Sequence, residues 1–198
     1  MGLTGLPGKL VGEVKNGVHV ARVLAGTGFI RVPVFAERPD RMARALLAAM
    51  RWGNTPAAGF EASAARYPDE PAIVDESGTL TFDQVNRRTN ALAHGLIEAG
   101  ISHRDTVAIM CRNHRGFVEA TVALSKIGAR TLLLNTSFAG PQLVEVVKRE
   151  KAEAIIYDAE FANLVAGARR GRKLFVAWDR AVHIDDITLE PLIDAGAP

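Results

Sequence analysis

The 198-residue sequence predicts an α/β fold: a partial doubly wound parallel sheet with flanking helices, preceded by a basic helical N-terminal arm. Three observations predict it. TVAIMC (106–111), ARTLLLN (129–135), AEAIIYD (152–158) and KLFVAW (173–178) are short apolar runs without polar alternation, as strands buried on both faces require. Between them stand helix-length segments, FVEATVALSKIG (117–128), PQLVEVVKREK (141–151) and AEFANLVAGARR (159–170), which makes the repeating unit βαβ with right-handed crossovers. Residues 1–53 hold eight Lys or Arg against three acidic residues, a net of +5, while the remainder carries −3.

Residues 1–53 read as an irregular arm ending in one amphipathic helix. Pro39 opens that helix, Met42, Leu46 and Met50 recur every fourth residue, and Trp52-Gly53 closes it. Such a basic arm suits either contact with an anionic membrane surface or an ordinary helix packed on its own domain. Thr55 as N-cap and Pro56 at the first helical position start a helix that stops before Pro68. AIVDE (72–76) and TLTF (79–82) form a hairpin around Ser77-Gly78. Thr81 and Gln84 make a capping box for a helix whose buried face is Val85, Thr89, Leu92 and Leu96, with Gly100 ending it. The alternation of strand and helix then runs from 106 to 178.

Composition excludes several classes. Hydrophobic residues at 48% and charged residues at 23% are those of a globular protein. Cys111 is the single cysteine and lies in an apolar run, so no disulfide framework exists and a buried thiol is the plain reading, consistent with a reducing cytosol. The opening MGLTGLPGKL has no basic stretch leading into an apolar one, Leu6 stands where a myristoylation signal needs Ser or Thr, and Val23–Ile30 is too short to span a bilayer. The expected location is therefore cytoplasmic, with peripheral membrane contact left open.

Chemical motifs mostly fail. Leu3 and Leu10 break a phosphate-binding Walker pattern around Gly8-Lys9, and Gly26-Thr27-Gly28 lacks the third glycine of a dinucleotide fingerprint. His19, His94, His103, His114 and His183 contain no pair three to five apart, and Cys111 has no CxxC partner, so no metal site is expected. There is no GxSxG elbow, and nothing indicates nucleic-acid binding. Asp185-Asp186 reads as a solvated pair in a terminal loop. Arg169, Arg170, Arg172 and Lys173 read as a cluster capping a helix end, with attraction of a phosphate-bearing ligand as the sharper alternative.

Ligands of parallel α/β sheets gather at the carboxyl ends of strands. That rule makes Arg112, Asn113 and His114, after the 106–111 strand, and Asn135, after the 129–135 strand, the candidate substrate-binding residues; no catalytic residue is named. The competing reading is that Asn113 and Asn135 hydrogen-bond turn backbone.

From Tyr67 to Asp158 the ordered segments YPDEPAIVDESGTLTFDQVNRRTNALAHGLIEAGI, RDTVAIMCRNHRGFVEATVALSKIGARTLLLN and QLVEVVKREKAEAIIYD resemble the adenylate-forming superfamily of acyl-CoA synthetases, luciferases and peptide-synthetase adenylation domains. The first is similar to the family's opening helix, and the second to its strand, Asn-containing loop, "KxGA" helix end and "LN" strand end. The arm and NTPAAGFEASAARYP look most like actinobacterial fatty-acyl-CoA synthetases. Ala139-Gly140-Pro141-Gln142 departs from the family's usual Thr-Pro-Glu-Glu helix start, with Gly140 expected to cap and Pro141 to lead, and Thr136 replaces the proline that often follows Asn135.

The resemblance implies that 54–198 is the N-terminal α/β portion of an AMP-dependent synthetase/ligase domain, and that the full-length family uses ATP, Mg and coenzyme A to activate a fatty or other carboxylic acid through acyl-AMP. The family's Ser/Thr/Gly-rich phosphate loop ending in Pro-Lys, its ribose-binding aspartate, its Tyr-Gly-x-Thr-Glu adenine segment and its C-terminal lysine are not among these residues. The chain is thus expected to be a fragment that binds no cofactor and is inactive alone, since loss of even one charge-stabilising donor costs on the order of 10²–10³ in rate. Two other readings stay open: a genuine short interaction or ligand-binding module, and an unrelated flavodoxin-like domain.

Overall fold

The computed structural model describes residues 38–179 and 185–196. From Asp40 on, the described helices and both sheets belong to one compact unit. The expectation of an irregular segment before the first helix lies outside the described residues.

Helix α1 (Pro39–Trp52) ends at Gly53, whose φ of +63° is the left-handed conformation a helix terminus favours glycine for. Helix α2 (Pro56–Arg66) starts as the sequence predicts: Thr55 Oγ1 accepts the Ala58 N–H at 3.3 Å, and Pro56 fills the first position. Strands β1 (Pro71–Asp75) and β2 (Gly78–Thr81) form an antiparallel hairpin with Asp75 opposite Gly78. Helix α3 (Phe82–Glu98) carries the full capping box, Thr81 N–H to Gln84 Oε1 at 2.8 Å and Gln84 N–H to Thr81 Oγ1 at 3.3 Å. Its predicted inner face, Val85, Thr89, Leu92 and Leu96, is fully buried.

Five parallel strands come next: β3 (Thr106–Met110), β4 (Arg130–Leu133), β5 (Ala154–Asp158), β6 (Lys173–Trp178) and β7 (Ile187–Thr188), in spatial order β4-β3-β5-β6-β7. Between them lie α4 (Arg115–Ile127), α5 (Gly140–Arg149) and α6 (Ala162–Ala166), and α7 (Leu189–Ala195) comes last. The pleat divides the inner strands β3, β5 and β6 between two cores, whereas β4, whose apolar run implied burial on both faces, is a partly exposed edge strand with Leu133 57% exposed. Val107, Ile109, Ala154, Ile156 and Phe175 pack with Leu92, Leu96, Leu124 and Ile193 on one face. Ala108, Met110, Ile155, Tyr157 and Val176 pack with Leu143, Val147, Phe161 and Val165 on the other. This is the both-faces burial that unbroken apolar strands imply.

Polar side chains pin the helices to one another. Arg88 of α3 pairs with buried Glu119 of α4 at 2.5 Å and with Glu190 of α7 at 2.6 Å. Lys126 of α4 donates to Asn86 Oδ1 (2.8 Å), Thr89 Oγ1 (2.9 Å) and Asn90 Oδ1 (2.6 Å) of α3.

Four expectations are corrected. The Leu46 and Met50 stripe of α1 does not pack inward: these side chains are exposed, and the buried residue of the helix is Ala48. The helix expected over 159–170 is a 3-10 turn (Ala159–Phe161) followed by α6, so the basic cluster stands beyond the helix end, where Arg172 Nη1 donates to the Ala168 carbonyl at 2.9 Å. Helix α5 is capped at Ala139, whose N–H donates to Gln142 Oε1 at 3.1 Å, and not at Gly140, which is already helical. Asp186 is not merely solvated. Its carboxylate accepts the Tyr157 hydroxyl and the Arg169 guanidinium, each at 2.6 Å, because the hydroxyl of an otherwise buried tyrosine needs an acceptor. That bond helps anchor the β7–α7 segment, which the periodicity of so short a stretch does not reveal.

Candidate functional site

Strand β3 lies between β4 on one side and β5 on the other. The chain leaves β3 towards β4 and leaves β5 towards β6, so the loops after these adjacent strands diverge and open a crevice at their carboxyl ends. The crevice is a cavity of about 330 Å³, walled by the β3 loop (Arg112, Asn113, His114), the end of β5 (Asp158, Glu160), Trp178 of β6 and the hairpin residues Val74, Asp75 and Glu76.

His114 is the N-cap of α4, an unusual cap residue. Its Nδ1 accepts the Gly116 N–H at 3.1 Å, so that nitrogen presents a lone pair and the ring proton belongs on Nε2. Nε2 lies 2.9 Å from Asp158 Oδ1 and donates to it. The ring stacks on Trp178 with centroids 4.5 Å apart and planes at 28°. The second carboxylate oxygen of Asp158 accepts the Arg112 N–H at 2.7 Å. A buried carboxylate is thus satisfied by one main-chain and one imidazole donor from the neighbouring strand's loop.

The remaining charged groups are paired as well. The Arg112 guanidinium binds Glu160 through two bonds of 2.6 and 2.7 Å, lies over the Phe161 ring, and holds the Glu160 carboxyl below its ordinary value. Asp75 accepts the Arg115 N–H at 2.9 Å and its Nη2 at 2.6 Å, which fastens the hairpin to the start of α4 and keeps the Asp75 carboxyl well below the usual carboxylate range. Burial, with Asp158 nearby, pushes the Cys111 thiol well up; it is a buried, protonated sulfhydryl whose Sγ donates to the Ile156 carbonyl.

Of the four residues predicted as substrate contacts, the crevice brings together Arg112, Asn113 and His114. Asn135 stands apart at the end of β4, where its Oδ1 accepts the Ser137 N–H at 2.9 Å in an Asx turn, the competing reading of that residue. Its neighbour Thr136 lines a second recess with Cys111, Arg112 and Asn113. Asp75, Asp158, Glu160 and Trp178 join the crevice without having been predicted from the sequence. Asp158 carries a usable signal, since it ends an apolar strand, but strand order decides which strand ends are neighbours.

Chemically, the described residues form a braced crevice. His114 has both ring nitrogens engaged and so exchanges no proton with a ligand without first breaking an internal bond, and Asp158, which accepts one bond on each oxygen, is 2% exposed. Such a constellation fixes loop geometry more readily than it performs acid–base chemistry.

The AMP-binding enzyme family matches residues 60–191. Long-chain fatty acid transport protein 1 of Rattus norvegicus is 30% identical over 174 residues, which is 83% of this chain and 27% of that protein. Feruloyl-CoA synthase of an Amycolatopsis species is 34% identical over 123 residues, 62% of this chain and 25% of that enzyme. The fold is shared with a benzoate CoA ligase from Burkholderia xenovorans LB400 (TM-score 0.64, 21% identity, 73% of this chain and 29% of that one). It is shared also with a Mycobacterium tuberculosis fatty acyl CoA synthetase (TM-score 0.61, 22% identity, 76% and 29%). The chain spans about a quarter of the length of these curated relatives. With the strand, loop and helix order on which the resemblance rests now matched over two thirds of its residues, the chain belongs to the AMP-binding enzyme family.

Proposed function

We propose that the chain forms the N-terminal α/β portion of an ATP-dependent acyl-CoA synthetase, a cytoplasmic enzyme that converts a carboxylic acid, through acyl-AMP, to acyl-CoA. The observation that carries this reading is the family match across 60–191 together with relatives named for acyl-CoA synthesis and fatty acid transport. ATP, Mg and coenzyme A belong to the whole enzyme; within this portion the β3 loop supplies scaffold and wall. Arg112 and His114 hold the crevice at the sheet switch point, Asn113 is its exposed polar lining, and Asn135 shapes the next loop. The 198 residues are inactive alone, because the nucleotide-handling motifs of the family lie outside them.

Two measurements test this. The nucleotide sequence beyond codon 198 is to encode, in frame or after a frameshift, a Ser/Thr/Gly-rich loop ending in Pro-Lys; unrelated sequence there sinks the proposal. Isothermal calorimetry of the purified 198-residue chain is to give no heat of ATP binding, and an affinity in the micromolar range would overturn the assignment to a non-catalytic portion.

A further inference from the structure

Helix α1 presents its apolar side chains outward. Leu46 and Leu47 are each 63% exposed and Met50 74%, whereas Ala48 is 3% exposed. At helical spacing Leu46, Ala43, Met50 and Leu47 fall within an arc of about 100°. The opposite side of the helix is the one bonded to the domain. There the Arg41 guanidinium donates to the Arg66 carbonyl at 3.0 Å, and the Trp52 indole N–H donates to Glu61. Arg44 and Arg51 border the apolar arc on one side, and residues 38–52 hold four arginines against one aspartate. The orientation is the reverse of a helix that uses its large apolar side chains to join its own core.

From this arrangement we infer that α1 is a membrane-surface helix that seats Leu46, Leu47 and Met50 in the headgroup layer of an anionic lipid bilayer, with Arg44 and Arg51 against the lipid phosphates. Helices of this kind lie in the interface plane, and their affinity joins buried apolar area to attraction for anionic headgroups. The charge selects the partner. A second copy of the chain would bring one net-positive helix against another, whereas an anionic bilayer complements the apolar strip and its basic border together. The helix lies on the membrane and does not cross it: no helix among the described residues is long and apolar enough to span one. The inference is independent of the ligase reading, since it needs no nucleotide or acyl substrate.

The test is co-sedimentation of the full 198-residue chain with sucrose-loaded vesicles, either of phosphatidylcholine alone or of phosphatidylcholine and phosphatidylglycerol in roughly two-to-one proportion. Binding to the anionic vesicles is expected, falling steeply as salt is raised from about 0.1 M to about 0.5 M, with little binding to the neutral ones. Leu46→Gln/Leu47→Gln/Met50→Gln is expected to lose about tenfold or more in partitioning. Arg44→Gln/Arg51→Gln is expected to lose roughly 30-fold, at about 1 kcal/mol for each arginine. Far-UV circular dichroism checks that both variants keep the fold, and the salt series on the unaltered chain stands even if one does not. Absence of vesicle binding, equal binding of the apolar variant, or a dimer in sedimentation velocity that this variant dissolves without vesicles would overturn the inference.

Discussion

His114 Nε2 donates to Asp158 Oδ1 across 2.9 Å, and this bond ties the loop after β3 to the end of β5 at the place where the sheet's connections diverge. Residue 114 caps α4 with its other nitrogen, so a single side chain sets both the start of a helix and the width of the crevice. Removing the carboxylate isolates two donors at once. Asp158→Ala leaves the Arg112 N–H and the His114 Nε2–H without their acceptor. The expected loss is about 2–4 kcal/mol, the range for stripping a buried group that serves two donors. Urea denaturation followed by far-UV circular dichroism measures it. Asp158→Asn keeps one acceptor oxygen and is expected to fall between Asp158→Ala and the unaltered chain; a change of only a few tenths of a kcal/mol in Asp158→Ala would show that the loop is held by other contacts.

Asp75 and Arg115 make the second tie, between the hairpin and α4, and this one is legible in acid. The Arg115 hydrogen bonds hold the folded-state carboxyl well below its unfolded value of 3.8. A group so depressed contributes stability that is fully present above the unfolded value and is lost as pH falls through and below it. Unfolding free energy is therefore expected to decline below about pH 4 with a component that Asp75→Asn removes. At neutral pH Asp75→Asn should cost about 3 kcal/mol, since it leaves a nearly buried guanidinium without its counter-ion. Paired denaturation curves at neutral and acid pH check both, and parallel acid loss in the two proteins would remove Asp75 as the cause.

Much of the fold is legible in residue order, and the candidate site only in part, for physical reasons. The inner strands β3, β5 and β6 announce themselves because burial on both faces demands unbroken apolar runs, and Thr55, Thr81 and Gln84 announce helix starts because orphan N–H groups need local acceptors. Arg112 and His114 follow from the rule that ligands meet strand ends. Asp158 and Trp178 do not, because only the sheet order places residues 114, 158 and 178 side by side. Asp186 escapes the sequence because its meaning depends on the hydroxyl of a tyrosine 29 positions away. The direction of the α1 stripe escapes it for the same reason: periodicity identifies an apolar face but not what it faces.

Gly116 offers a steric test of the same corner of the fold. A Cβ added there would meet the Ala177 carbonyl oxygen at 2.8 Å and the Ala177 Cβ at 3.2 Å, both on the strand that carries Trp178. The first turn of α4 lies directly on the backbone of β6, where the nearest contact is a main-chain carbonyl that cannot swing aside; the His114 Cε1, 3.1 Å from the added Cβ, belongs to a ring held at both nitrogens. Gly116→Ala favours helix intrinsically by about 1 kcal/mol, yet the net effect expected is destabilisation by about 1–3 kcal/mol, because the contact forces helix and strand apart. The displacement should also loosen the stacking of His114 on Trp178, which tryptophan emission reports in a Trp52→Phe background. Unchanged emission together with unchanged or increased stability would refute the close packing.

Lys126 gives the fold a pH dependence on the alkaline side. Its ammonium reaches from α4 to α3 and is surrounded by the neutral oxygens of Asn86, Thr89 and Asn90, with no carboxylate in direct contact. Burial disfavours the charge and brings the side chain down from 10.5 to about 8, while the more distant Glu61 opposes the shift. The sign comes from proton counting. Between about 8 and 10.5 the unfolded chain holds a proton that the folded chain has released, so stability from this residue rises with pH across that interval and is flat below it. The full rise is on the order of 3 kcal/mol. Lys126→Met abolishes the pH-dependent component but leaves the amide oxygens of Asn86 and Asn90 without their donor, so its stability at neutral pH should be no higher than that of the unaltered chain. Urea denaturation at about pH 7.5 and about pH 10 separates the two effects. The difference between these two pH values should shrink in Lys126→Met; if it is the same in both proteins, the lysine is charged in the fold throughout and its amide cage compensates for burial in full.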